Sequence, residues 1–124
     1  MTTLKSFREL IVWKKSMDLA VRIYRATKRF PKSEMFGLGL QMRRAAVSIP
    51  SNIAEGQSRN SRNEFRHFLG IARGSLGELD TQIELSSRLE MLKAEDTAIL
   101  TNLIEEIGKM LSGLKRSLPP KSDN

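Results

Sequence analysis

The chain contains no cysteine and a single histidine among its 124 residues. The lack of cysteine excludes disulfides, a thiolate nucleophile and cysteine-ligated zinc or iron–sulfur sites. The single histidine excludes a multi-histidine metal site. Long apolar runs are also absent: no stretch approaches the 18 or more residues of a membrane span, and the first residues lack the apolar segment of a secretory signal. We therefore expect a cytoplasmic protein without a membrane partner.

Acidic side chains are scarce in the first part of the chain. Residues 1–76 have 15 basic and 5 acidic side chains, whereas residues 77–124 have 6 basic and 9 acidic ones. The resulting net charge of +7 favours an anionic partner. The uneven distribution predicts one basic surface rather than a uniformly basic protein.

Apolar residues recur at spacings of three and four in four segments, which predicts four helices and no strand. The predicted ranges are about 8–29, 34–56, 62–89 and 95–118. The pattern of the second segment continues through Pro50, so we expect one helix with a kink there; a break at Pro50 is the alternative.

Capping signals precede three of these segments. Ser6 with Glu9, and Ser61 with Glu64, have the spacing of capping boxes, and Ser33 is a candidate N-cap for the second helix. Helices of this length with short loops predict an all-α, antiparallel, up-down-up-down four-helix bundle. Residues 1–118 form a single domain in this interpretation, and residues 119–124 are expected to be a disordered tail.

Helix 1 has more apolar surface than one bundle core needs. A first stripe contains Leu10, Trp13, Met17, Ala20, Val21 and Tyr24, and a second adds Val12, Leu19 and Ile23. Together they cover about 200° of the helical wheel. This width predicts burial on two sides, as in a homo-oligomer. The alternative is that the N-terminal arm or the tail covers the extra surface.

The remaining side of helix 1 is basic. The cations on this side are Lys14, Lys15, Arg22, Arg25 and Arg29, and the acidic Asp18 lies between them. Such a stripe can track a phosphate backbone, so we predict nucleic-acid binding that reads charge and shape with little sequence specificity. No aromatic ladder for stacking bases is visible on this side. An ordinary solvated face is the alternative.

A polar stripe runs along helix 2. Its members, which fall within about 80° of the wheel, are Gln41, Arg44, Ser48, Asn52 and Glu55. Serine and asparagine are mediocre helix formers, so a merely solvated face has better choices. The stripe predicts a hydrogen-bonded seam between subunits or around a ligand; a seam that only fixes packing and register is the alternative.

Three glycines of helix 3, Gly70, Gly74 and Gly77, lie nearly opposite its apolar stripe. Each costs about 1 kcal/mol relative to alanine. A close helix–helix contact offsets that cost, because absent side chains let backbones approach. We therefore predict an oligomer interface here; the alternative is a helix that is simply flexible.

No catalytic residue, metal site or cofactor is predicted. Residues 64–67 match the Glu-x-x-His motif of di-iron bundles, but such sites need that motif on two helices. The serines have no nearby histidine for a triad, and Gly37-Leu38-Gly39 lacks the third glycine of a dinucleotide loop. We therefore expect a protein that is not an enzyme.

The longest motif lies on helix 2, where residues 41–56 read QMRRAAVSIPSNIAEG. Residues 65–79 of helix 3 read FRHFLGIARGSLGEL, and Phe7-x-x-Leu10-x-x-Trp13 opens helix 1. Over residues 7–115 the chain resembles the four-helix-bundle proteins known from intervening sequences in bacterial large-subunit ribosomal RNA genes, with a divergent last helix.

The resemblance implies an antiparallel four-helix bundle that assembles as a homopentamer and has no enzyme activity. A protein similar in fold and assembly, the accessory variability determinant of diversity-generating retroelements, is basic and partners a reverse transcriptase and nucleic acid. By analogy it favours RNA or DNA as the partner of this chain. The second hypothesis is a scaffold that binds another protein, for instance an acidic one.

Overall fold

The computed structural model describes residues 6–118, which form four α-helices and contain no strand. The helices are α1 (Ile11–Thr27), α2 (Leu38–Ser58), α3 (Arg62–Arg88) and α4 (Ala94–Ser117). Single turns of 3-10 helix occur at Phe7–Glu9 and Lys32–Glu34. The predicted disordered tail, residues 119–124, lies outside the described residues.

One apolar core holds the four helices together. Each helix packs against two neighbours: α2 contacts α1 and α3, and α4 contacts α3 and α1. The large apolar side chains that are at most 1% exposed come from all four helices: Leu19, Ile23, Met42, Ile49, Ile53, Leu69, Leu79, Ile83, Ile107 and Leu111. Their removal from water is the main favourable contribution to folding. The predicted all-α four-helix bundle is confirmed.

The chain enters the bundle through a separate turn, so the prediction of one helix from residue 8 is wrong. The Ser6 hydroxyl accepts the Arg8 N–H at 3.1 Å and caps only the 3-10 turn. Leu10 then adopts an extended backbone (φ −74°, ψ 125°) before α1 begins. This bend brings the Phe7 ring to 5.2 Å from the Trp13 ring and buries the Leu10 side chain.

Only one side of α1 is buried within the chain. Its buried residues are Val12, Ser16, Leu19, Ala20, Ile23, Ala26 and Thr27. Of the first predicted stripe, Met17, Val21 and Tyr24 are 40–44% exposed. The small residues of the buried face let α1 approach its neighbours, and the Ser16 hydroxyl donates to the Val12 carbonyl at 2.7 Å, which satisfies it without water. Burial of α1 on two sides therefore stays a prediction about assembly.

Helix α2 begins later than predicted and is continuous. Ser33 lies in the 3-10 turn rather than at the N-cap, so that assignment is wrong. Gly37 is the N-cap, and the Glu34 carboxylate accepts the Leu38 N–H at 3.2 Å. Helix α2 runs through Pro50 without a break, as predicted, and ends two residues beyond the predicted Gly56.

The two ends of α3 have well-defined caps. The Ser61 hydroxyl accepts the Glu64 N–H at 3.2 Å, as the capping box predicts. At the other end, Glu90 has a left-handed backbone (φ 61°). The Glu90 N–H donates to Ser87 and the Met91 N–H donates to Ser86, which is the hydrogen-bond pattern of a Schellman motif.

Candidate nucleic-acid interface

The five predicted cations of α1 lie on the side of the helix away from the core. Lys14, Arg22, Arg25 and Arg29 are exposed, and Lys15 is half-buried. Four of them lie on α1, which packs on its opposite face against α2 and α4, and Arg29 lies in the turn just after the helix ends at Thr27. Their charged ends are therefore at the protein surface, where an anion can reach them.

Helix α4 neutralises two of these cations. Lys15 Nζ lies 3.2 Å from a Glu106 carboxylate oxygen, and Arg29 Nη2 lies 2.9 Å from an Asp96 oxygen. Exposed pairs of this kind contribute little to stability. They do lower the positive potential along the α4 side of α1, because each cation has a carboxylate beside it.

Three of the five cations have no acidic partner in the described part of the chain. Among residues 6–118, no ion pair involves Lys14, Arg22 or Arg25. Arg22 and Arg25 line a shallow cleft of about 180 Å³ beside α4, together with Arg29 and the exposed Ile99. The basic surface of α1 is thus narrower than the sequence predicts and is concentrated in these three side chains.

The polar stripe of α2 divides into two parts. Ser48 and Ser75 of α3 share a hydrogen bond of 2.8 Å between hydroxyl oxygens. The Asn52 side chain donates to the Ser48 carbonyl at 2.8 Å and to its hydroxyl at 3.0 Å. The Ser48–Ser75 bond joins α2 to α3 within one chain, whereas the two Asn52 bonds stay within α2 and hold the Ser48 side chain in place.

The outer members of this stripe face solvent. Gln41 and Arg44 are exposed, and no ion pair within residues 6–118 involves Arg44. Glu55 pairs with Arg59 at 2.8 Å, one turn further along the chain. Gln41 and Arg44 are therefore the members of the stripe that a second subunit can reach.

The three predicted interface glycines have open space around them. A Cβ atom built on Gly70, Gly74 or Gly77 meets nothing within 4 Å. The close approach within the chain occurs instead at Gly56, where a Cβ atom would lie 2.8 Å from Phe68 Cβ. The exposed glycines thus serve no packing contact inside one chain.

Arg43 is an important contact that the sequence reasoning missed. Its Nε donates to the Thr27 hydroxyl at 2.8 Å, and its guanidinium lies 4.7 Å from the centre of the Tyr24 ring. A cation at this point also complements the negative end of the α1 dipole. The sequence did not indicate this contact, because the partners of Arg43 lie 16 and 19 residues away along the chain.

The residues of the Glu-x-x-His match are exposed at the surface. Glu64 pairs with Arg59 at 3.6 Å, and the His67 ring contacts Phe68. Over the part of the chain that the structure describes, no three histidine or acidic side chains are grouped as metal ligands, and no helix is long and apolar enough to cross a membrane.

The comparisons with known proteins agree with this fold. The family model described as 23S rRNA-intervening sequence protein matches residues 8–113. The chain belongs to this family. A solved structure from Bacteroides thetaiotaomicron, described as a protein with unknown function from the S23 ribosomal protein family, has 30% sequence identity to this chain and a TM-score of 0.80. The match covers 86% of this chain and 96% of that one.

No curated protein matches the chain. The intervening sequence protein family therefore supplies the fold, and the structural relative has no stated role. Any function has to be argued from the surface of the bundle itself.

Proposed function

We propose that this intervening sequence protein is a non-enzymatic, basic bundle that binds the phosphate backbone of RNA or DNA through α1. The observation that carries the proposal is the set of three unpaired, exposed cations on one helix face: Lys14, Arg22 and Arg25. Backbone contacts of this type position a protein on nucleic acid and carry no sequence information. Binding should therefore be strongly salt-dependent and weakly sequence-dependent.

A patch of only three cations should bind a phosphate backbone weakly. The proposal therefore includes an assembly that repeats the patch. We propose an up-down-up-down bundle that forms a homopentamer, with Gly74 of α3 and the outer part of the α2 stripe at the interface. Gly70 and Gly77 line open clefts on another part of α3 and are left out of this interface. Two contacts support the antiparallel order, because Lys15 and Arg29 pair with Glu106 and Asp96 in reverse sequence order. Repeating the patch on each subunit raises avidity without any new contact.

Assembly is tested by light scattering on the unmodified protein and on Gly74→Leu. The unmodified chain of 14.0 kDa is expected to give a mass of about 70 kDa, five times that value. Because a Cβ at Gly74 meets nothing within the chain, the leucine should leave the fold intact and lower the mass. A monomer for the unmodified chain, or an unchanged pentamer for the variant, contradicts the glycine interface.

The α1 patch is tested by replacing Lys14, Arg22 and Arg25 together with glutamine. Glutamine is a good helix former, so helicity by circular dichroism should be unchanged. Because each phosphate contact contributes about −0.9 to the salt slope on duplex DNA, the variant should bind more weakly and with a shallower slope. Equal affinity of the two proteins at low salt removes α1 from the interface.

The scaffold hypothesis has one structural observation in its favour. Phe36 is 84% exposed and neighbours Met35, which is 54% exposed, between α1 and α2. Exposed apolar side chains of this size suit a protein contact. If the unmodified protein fails to bind nucleic acid at low salt, this surface becomes the better candidate.

A further inference from the structure

The basic and acidic side chains of α3 and α4 lie at opposite ends of this helix pair. A charge count over the two parts of the chain does not show this separation. Residues 62–77 and 107–118 carry six basic side chains and one acidic one. The intervening residues 78–106 carry two basic and eight acidic side chains. One end of the α3/α4 pair is thus strongly positive although the second part of the chain is acidic as a whole.

These two basic segments lie side by side. Arg66 donates to the carbonyls of Lys115 and Leu118 at 3.3 and 3.5 Å. Arg73 donates to the Gly108 carbonyl at 3.3 Å and to the Ser112 hydroxyl. We call this surface the basic groove, and its six cations are Arg62, Arg66, Arg73, Lys109, Lys115 and Arg116.

Two open clefts run along the basic groove. The first, of about 450 Å³, is lined by Arg66, Lys115 and Gly70, and the second, of about 510 Å³, by Arg73, Arg116 and Gly77 among others. Glycines at these positions leave the groove open, since a Cβ at Gly70 or Gly77 has no neighbour. These glycines destabilise α3, but they keep open a surface that a ligand can enter.

Helix stability explains the position of some of these cations but not of all. Lys115 and Arg116 lie in the last turn of α4, where the helix dipole favours positive charge. Arg62, however, is the first residue of α3, where the dipole disfavours positive charge. Among residues 6–118, no ion pair involves Arg62, Lys115 or Arg116.

Nearby acidic groups leave most of the groove positive. Glu64 turns towards α2, where it pairs with Arg59 at 3.6 Å. Asp80 and Glu105 line the far end of the second cleft, and Glu105 is paired with Lys109 at 3.4 Å. Among residues 6–118, no acidic residue lines the first cleft, and Asp80 and Glu105 are the acidic residues that line the second.

We propose that the basic groove is a second phosphate-binding surface for a nucleic-acid strand, an inference that rests on the proposed nucleic-acid binding and adds a site away from α1. From Arg62 to Arg73 the groove is about 17 Å long at 1.5 Å per residue, which matches about five phosphates of one strand. Four of its six cations are arginines, whose planar fork suits phosphate oxygens.

The composition of the groove favours nucleic acid over an acidic protein. Stable protein interfaces have an apolar or aromatic centre. Of the exposed large apolar side chains of the bundle, only Ile71 lines these clefts. A protein partner would find few anchors here, whereas phosphates need only the cations.

The test compares three glutamine variants that each lose three positive charges. The groove variant changes Arg62, Lys115 and Arg116. All three are exposed and form no ion pair within residues 6–118, so their replacement should leave the bundle intact. The second variant is the α1 triple described above. The control changes Lys32, Arg88 and Lys93, which are exposed elsewhere on the molecule. Affinity for a short DNA duplex and a single-stranded RNA is measured against salt.

We expect the groove variant to lose affinity on the order of 100-fold at low salt, with a duplex slope shallower by about 2.7, while the control binds nearly as the unmodified protein does. A charge-preserving Arg62→Lys, Arg116→Lys variant should retain most binding, which separates lost charge from a folding defect. If the groove variant and the control bind with equal affinity, the proposal that nucleic acid binds in the basic groove is wrong.

The two proposals fail differently. If the unmodified protein does not bind either probe at low salt, the proposed function is wrong and the groove with it. If it binds, and only the α1 variant weakens binding, the function stands and the groove is wrong. If only the groove variant weakens binding, the groove is supported and α1 is not the contact surface.

Discussion

Truncation of Ile23 to alanine is expected to lower the free energy of unfolding by about 3 kcal/mol. Ile23 is fully buried on α1, and replacing a buried isoleucine by alanine removes apolar contacts and leaves a cavity, at a typical cost of about 2–5 kcal/mol. Urea unfolding followed by circular dichroism measures the change.

The matched control is Val21→Ala, two residues earlier on the same helix. Val21 is 44% exposed, so its truncation should change the free energy by no more than about 0.5 kcal/mol in the separated chain. A loss at Val21 equal to that at Ile23 contradicts the assignment of the buried face. A loss at Val21 that grows with protein concentration identifies this face as a subunit interface.

The second large effect is expected at Gly56. In Gly56→Ala, the new methyl group would lie 2.8 Å from Phe68 Cβ and 2.9 Å from Phe65 Cδ1. Phe68 Cβ is attached to the backbone of α3 and cannot move without shifting the helix. Overpacking of this kind typically costs about 1–3 kcal/mol, and we expect about 2 kcal/mol.

Gly74→Ala is the control for this substitution. A Cβ at Gly74 has open space within one chain, so in the separated chain alanine should raise the stability of α3 by up to about 1 kcal/mol through helix propensity. Thermal unfolding of both variants under the same conditions gives the comparison. If Gly56→Ala is as stable as the unmodified protein, α2 and α3 do not approach as closely as described.

Local signals in the sequence predicted much of the fold. The Ser61 cap and the apolar periodicity of α3 and α4 depend on residues three or four apart, so a single helix contains all the information. The buried face of α1 could not be predicted in the same way. Helix α1 has two apolar stripes, and either could face the core by its pattern alone. Contact with α2 and α4 buries the stripe with Val12, Leu19 and Ile23 and leaves Met17, Val21 and Tyr24 exposed.

The surface was harder to predict than the core. The partners of Lys15 and Arg29 are on α4, 91 and 67 residues away along the chain, so no local pattern indicates that they are neutralised. The basic groove combines the start of α3, which belongs to the basic residues 1–76, with the end of α4, whose three cations are outnumbered by acidic residues within 77–124. Counting charge by half-helix would have indicated it.

Binding of the unmodified protein to a short DNA duplex over a series of salt concentrations tests the central claim most directly. If the bundle contacts phosphates through α1 and the basic groove, log K should fall linearly with log salt, with a slope of about −0.9 for each contact. The six cations replaced in the two triple variants would together give a slope of about −5 in one subunit. Sequence-scrambled duplexes should give the same line. No binding at low salt, or an affinity that does not change with salt, would contradict the account.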